Sequence, residues 1–165
     1  MIKVKMALKN YTTQIPVDRT ITDIEKILAQ HGARKILKDY DNQGNISAIS
    51  FMIKLEDGSF IPFKLPMNLE RVLLALREQY NSGTLTSSQK SVVKRGLQNH
   101  EQARKIGWRI IKDWIDAQMS ILDLHLAKMQ EVFLPYAYNM EFEKTFYEMI
   151  EEKGFGDLAL EDKSK

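Results

Sequence analysis

No cysteine occurs in the 165 residues of this chain. That excludes disulfides, thiolate metal sites and cysteine nucleophiles, and it fits a reducing compartment. No window approaches the ~20 uninterrupted apolar residues of a membrane-spanning helix. The opening stretch MIKVKMALKN lacks the apolar run of a signal peptide. A cytoplasmic protein with no membrane partner is therefore expected. There is no glycine-rich phosphate loop and no HExxH pair, and the three histidines, His31, His100 and His125, are scattered. Internal repeats and low-complexity tracts are also missing. The expectation is a non-catalytic protein with no resident metal and no cofactor.

What is present is ordinary in amount and informative in arrangement. Lys and Arg number 24 against 22 Asp and Glu, a formal net charge of +2, so any partner selected by charge must be selected locally. Hydrophobic residues at 44% suffice for a real core. Alternation over residues 2–15 (IKVKMAL, then YTTQI) suits a strand. Ile21, Ile24, Ile27 and Leu28 have helical spacing, which predicts a helix over 21–31, capped by Thr20 or Thr22 and ended by Gly32. Strands are predicted over 34–41, 46–55 and 60–65. Asn68 caps a further helix to about Tyr80. Residues 81–91 (NSGTLTSSQKS) read as a linker or mobile loop. A last helix over 145–153 ends at Gly154.

The stretch from Asn99 to Pro135 is the organising element. Asn99 is a good N-cap, with Gln102 three residues on as in a capping box. At ~100° per residue, Ile110, Trp114 and Ile121 form part of one apolar stripe, and Trp108, Ile111, Ile115, Met119 and Leu122 form a second. A helix apolar around most of its circumference needs cover on two sides. A break is expected near Leu124–Ala127, then a short helix leading to Pro135. The fold class is α+β: an N-terminal antiparallel sheet in strand–helix–three-strand–helix order, then a helical half built on the long central helix. The expected divisions are a sheet domain over 1–82, a linker over 83–98 and a helical region over 99–165, either separate or packed on the sheet as one unit.

The second hairpin permits a register argument. A three-residue loop, Glu56-Asp57-Gly58, with Gly58 in the left-handed conformation, pairs Phe51 with Phe63, Ile53 with Ile61 and Ile49 with Leu65. A two-residue loop would set Phe51 against Lys64 and mix the faces. The opposite face then shows Ser50, Met52, Lys54, Phe60, Pro62 and Lys64, a basic and aromatic surface. Pro62 lacks a ladder donor, so this strand belongs at an edge.

The functional signal is charge. Between Lys90 and Lys112 stand Lys90, Lys94, Arg95, Arg104, Lys105, Arg109 and Lys112 against Glu101 alone, a local +6 in a chain of +2. Cations along a loop and one helix face suit a phosphate backbone. Lys54, Phe60 and Lys64 would add charge and stacking. Trp108 lies between Arg104 and Lys112, but its alignment with Ile111, Ile115 and Met119 favours core packing. Asp113, Asp116 and Asp123 share the polar wedge. Arg109 precedes Asp113 by four residues and Lys112 precedes Asp116 by four, so surface ion pairs are the expected use of these acids.

The helix–strand–strand–strand–helix order of residues 20–80 resembles the double-stranded-RNA-binding domain. That family carries a glycine and lysine cluster at the start of its last helix, whereas this chain reads LPMNLERV there. The resemblance thus extends to element order and carries over no site residue. The phrases GARKILKDYDNQG, WRIIKDWIDAQM and EVFLPY are similar to small uncharacterised phage and prophage proteins, which implies a phage-borne accessory gene. Two functions are expected from this reading. One is a nucleic-acid-binding accessory protein, for DNA rather than RNA. The other is a protein-interaction module, such as a phage-encoded inhibitor or adaptor of a host protein. The apolar central helix also suits a homo-oligomer.

Overall fold

The computed structural model describes residues 7–156. The segment predicted as a first strand lies partly outside them. Its described part, 7–15, is turn and irregular backbone rather than strand. Leu8 donates its amide to the Gln79 side chain, and the Thr13 carbonyl accepts from Gln102, so side chains rather than a ladder satisfy this segment.

Helix α1 spans Val17–Gln30 and begins four residues before its predicted start. Pro16, at φ −58°, presets the first turn, and Asp18 adds favourable charge there. The expected caps do other things. Thr20 is inside the helix and buried, and the Thr22 hydroxyl donates to the Asp18 carbonyl. Three antiparallel strands follow: β1 Ala33–Tyr40, β2 Ile46–Lys54 and β3 Phe60–Pro66, in the order β1-β2-β3. The hairpin register is the expected one, with Phe51 opposite Phe63, Ile53 opposite Ile61 and Ile49 opposite Leu65. Gly58 has φ +87°. Its amide bonds Leu55 at 3.0 Å while the Leu55 amide bonds Ser59 at 2.8 Å, closing the three-residue loop. Strand β3 is an edge strand of this sheet.

Asn68 caps α2, Leu69–Asn81, by accepting from the Arg71 amide. The stretch read as a linker is then corrected: from Ser87 to Gln98 it is helix α3. Thr86 and Gln89 form a reciprocal capping box, a local signal strong enough to start a helix in a Ser/Thr-rich stretch. One residue, Asn99, separates α3 from α4, His100–Asp123. Asn99 caps α4 by accepting from the Glu101 amide. Gln102 does not complete a box, since its side chain reaches the Thr13 carbonyl instead. The break after Asp123 falls where expected, with His125 at φ 55°. Helix α5, Met129–Phe133, runs into a 3-10 turn at Leu134–Tyr136. A small hairpin, β4 Tyr138–Asn139 and β5 Lys144–Thr145, leads into α6, Phe146–Lys153.

Two apolar clusters hold these elements. In the first, Ile49, Phe51, Ile53, Phe63 and Leu65 of the sheet meet Ile21, Ile24 and Leu28 of α1 and Trp108, Ile115 and Met119 of α4. Phe51 and Phe63 stack at 5.2 Å, and Phe133 closes on Phe51 edge-on. In the second, Leu76 of α2, Val93 of α3 and Ala103 and Ile106 of α4 pack together with Leu85. In this structure α4 lies beside α1 on the sheet, while α2 turns to α3 and α4. Gly107 permits the α2–α4 approach, because a Cβ there would stand 2.9 Å from the Met67 sulfur and 3.0 Å from Val72. The two-sided burial of α4 holds only over its first half. Ile115 is fully buried, whereas Ile110, Ile111, Trp114, Ile121 and Leu122 are half-buried; Ile111, Trp114 and Leu122 lie at the margin of the first cluster and Ile110 at the margin of the second.

Candidate nucleic-acid interface

The ten basic and aromatic residues singled out above do not form one surface. Side chains alternate along a strand. The register that sends Phe51 and Phe63 into the core toward α4 sends Lys54, Phe60 and Lys64 to the opposite side of the sheet. There Lys54 is exposed and Phe60 is 46% exposed, with Lys35 over its ring at 5.9 Å. Lys64 bonds Asp39 at 2.8 Å and sits over the Tyr138 ring. The Asp39 bond raises the Lys64 pKa against the opposing pull of burial.

On α4 the cations are largely committed within the fold. Lys112 pairs with Asp116 one turn on, as expected. Arg109 does not pair with Asp113. It reaches Asp23 of α1 at 3.9 Å, with its Nη1 buried and without a hydrogen bond among the described residues. Asp113 is taken by Lys9 at 3.0 Å and by the Asn10 side-chain amide at 2.9 Å. Burial pushes the Asp113 pKa up, but these two bonds outweigh it and hold the carboxyl below its ordinary value. Arg104 is 4.0 Å from Asp41 in the β1–β2 turn. Lys105 alone of the four has no carboxylate partner among the described residues. Trp108 is fully buried and donates Nε1–H to the Ile46 carbonyl at 3.3 Å, so it is core and offers no stacking surface.

Helix α3 differs. Val93 and Gly96 face inward, with Gly96 close against Leu76. Ser87, Ser88, Ser91, Lys94, Arg95 and Gln98 are exposed and Lys90 is half-exposed. Lys90 and Lys94 stand one turn apart, an arrangement that costs an isolated helix about 0.2–0.5 kcal/mol. No Asp or Glu occurs from Gln79 to His100, and among the described residues none of Lys90, Lys94 and Arg95 pairs with a carboxylate. The other described α-helices carry an acid in the first turn: Asp18, Glu70, Glu101, Glu131 and Glu148; α3 carries none. Its positive end is left uncompensated with Lys90 at the close of the first turn, while Lys94 and Arg95 lie toward the other end.

The sequence reading included these three residues but placed them on a loop. The Thr86–Gln89 box was the legible signal of the helix that presents them. Among the described residues no group of three His, Asp or Glu side chains is arranged to hold a metal, and no helix is long and apolar enough to cross a membrane. Comparison with protein-family models, with curated proteins and with solved structures yields no match for this chain.

Proposed function

We propose that this protein is a non-catalytic DNA-binding accessory protein and that α3 is the element that meets the DNA. The observation that carries this reading is the acid-free outer face of α3, where Lys90, Lys94 and Arg95 have no carboxylate partner among the described residues. Lys112 would have to break its bond to Asp116 before it could meet a phosphate, and Arg104 and Arg109 are mostly buried near Asp41 and Asp23, so these three contribute little. Free cations displace counterions from the phosphate backbone directly. The exposed hydroxyls of Ser87, Ser88 and Ser91 add short donors of the kind that bond phosphate and sugar oxygens. DNA is preferred to duplex RNA because the start of α2, LPMNLERV, carries no lysine to grip an RNA backbone.

The test is fluorescence anisotropy with labelled double- and single-stranded DNA at several salt concentrations. The parent should bind at low salt, and affinity should fall steeply as salt rises. The variant Lys90→Gln/Lys94→Gln/Arg95→Gln should lose most of that binding. A parent that binds neither form of DNA at low salt would sink the reading, as would a folded triple variant with the parent's affinity.

A further inference from the structure

A second surface, built at the other end of the chain, carries a different kind of recognition. Of the twelve large apolar side chains exposed among the described residues, six lie between Leu134 and Phe155: Leu134, Met140, Phe142, Phe146, Tyr147 and Phe155. Two depressions lie beside this segment, and Tyr147 is the one of the six that lines either of them. A depression of about 240 Å³ is lined by Leu65, Pro66, Ile110, Ile111, Trp114 and Tyr136. A second, of about 390 Å³, shares Pro66 and Tyr136 with the first and continues to Pro135, Tyr147, Glu148 and Glu151. Together they make a groove with aromatic and proline walls and two carboxylates at one end. It also explains why Ile110, Ile111 and Trp114 of α4 are left half-covered.

We infer that this groove binds an extended, proline-rich segment of a partner protein that carries a lysine or arginine beside its apolar residues. Three features select that chemistry. The ring of Trp114 is held by its neighbours, edge-on against Phe133 at 5.5 Å and Tyr136 at 5.4 Å, while Tyr147 stands exposed 6.0 Å from Phe155. A rigid aromatic wall suits the preformed polyproline helix, which loses little entropy on docking. Next, the β3 edge beside the groove is poorly suited to adding a strand. Leu55 bonds Ser59 and Met67 bonds Ser47, so odd-numbered residues of β3 point their amides at β2 and even-numbered ones point outward. Two of those outward positions are Pro62 and Pro66, which have no N–H, and between them the outer side of β3 is already bridged by Ala137 opposite Phe63. A ligand that needs no ladder bonds therefore fits better than a β-strand. Finally, the charged groups that line the groove are two carboxylates, Glu148 and Glu151, with Lys144 and Lys64 further out beside Glu148. The Thr145 amide and hydroxyl bond one oxygen of Glu148 and hold its carboxyl ionised below the ordinary range, and Glu151 is exposed beside it. A basic residue on the ligand complements this pair, and an acidic ligand such as DNA is repelled by it.

The experiment uses the full chain and two labelled peptides. In one, proline alternates with leucine and two arginines end the sequence; in its twin, glutamates replace the arginines. Anisotropy should show binding of the arginine peptide and about tenfold or weaker binding of the twin. Tyr147→Ala and Glu151→Lys, each checked for folding by circular dichroism, should weaken the arginine peptide about tenfold or more. The triple variant of α3 should bind it like the parent, which separates this groove from the DNA surface. Absence of binding, equal binding of the two peptides, or undiminished binding by either groove variant would overturn the inference.

Discussion

Helices α3 and α4 are joined through a single residue and carry their cations to opposite ends. On α4, Arg104, Arg109 and Lys112 lie near carboxylates from the β1–β2 turn, from α1 and from α4 itself. These tie together elements that already share a core. On α3, Lys90, Lys94 and Arg95 pair with no carboxylate among the described residues. The difference teaches that a count of basic residues along a sequence measures two things at once. Part of a local +6 is internal wiring, and only the remainder is potential that reaches into solvent. The division follows burial. The α4 side chains lie beside α1 and the sheet, where carboxylates are within reach, whereas α3 turns its polar face to water.

The largest expected effect tests the structural role of α4. Ile115 is fully buried between the sheet and α1, so Ile115→Ala should cost about 2–5 kcal/mol in urea unfolding. Ile110→Ala, at a half-buried position one and a half turns earlier, should cost less than half as much. Equal losses would mean that the second stripe is covered in solution, as by another copy of the chain. Neutralising α3 should behave oppositely. Lys90→Gln/Lys94→Gln/Arg95→Gln should leave stability within about 0.5 kcal/mol of the parent, since it also relieves the Lys90–Lys94 repulsion.

The next effect is read in DNA binding. The α3 triple variant should lower the salt slope by about one for each lost phosphate contact. The matching α4 variant, Lys105→Gln/Arg109→Gln/Lys112→Gln, should change the slope by about one at most, through Lys105 alone. Arg109 and Lys112 are mostly buried, so this variant's folding is checked by circular dichroism before the slopes are compared. If both variants lose equally, the internal pairs of α4 open on binding and the contrast between the helices disappears.

How much of this was legible depended on whether the deciding interaction was local. The hairpin register was legible because Gly58 and a two-residue alternation admit one arrangement that keeps Phe51 and Phe63 on the same face. Gly58→Val, forcing a β-branched residue into φ +87°, should cost about 1–2 kcal/mol and confirm that the turn sets the register. The Lys112–Asp116 pair was legible because it lies within one helix. Partners chosen across the fold were not. Gln102 has the spacing of a capping box yet bonds Thr13, and Arg109 has the spacing to pair with Asp113 yet turns to Asp23. Helix α3 itself was hidden because its Ser and Thr residues, which mark loops in most contexts, here supply the cap. The acid-free run from Gln79 to His100 was in view throughout, but its meaning depends on knowing that a helix displays it.

The smallest expected effect sharpens the comparison through pH. Asp113 is the α4 carboxylate that fastens Lys9 and Asn10, and α3 has no carboxylate at all. Burial opposes ionisation of Asp113, but its two bonds prevail and the folded pKa lies below the unfolded value. The folded state therefore binds fewer protons here than the unfolded state. The resulting stability is present above the ordinary aspartate pKa of about 3.9 and is lost as pH falls through the depressed folded value. Because Lys9 is largely exposed, the contribution should stay under about 1 kcal/mol. Asp113→Asn should therefore flatten the stability–pH curve below about pH 4 relative to the parent. The α3 triple variant should follow the parent's acid limb, since it removes no acid and breaks no pair. Urea midpoints collected across that range decide the matter. An Asp113→Asn curve parallel to the parent's would show that the carboxylate gains nothing from Lys9 and Asn10. A changed slope in the α3 variant would show that its cations are coupled to acids elsewhere in the fold and are not free for DNA.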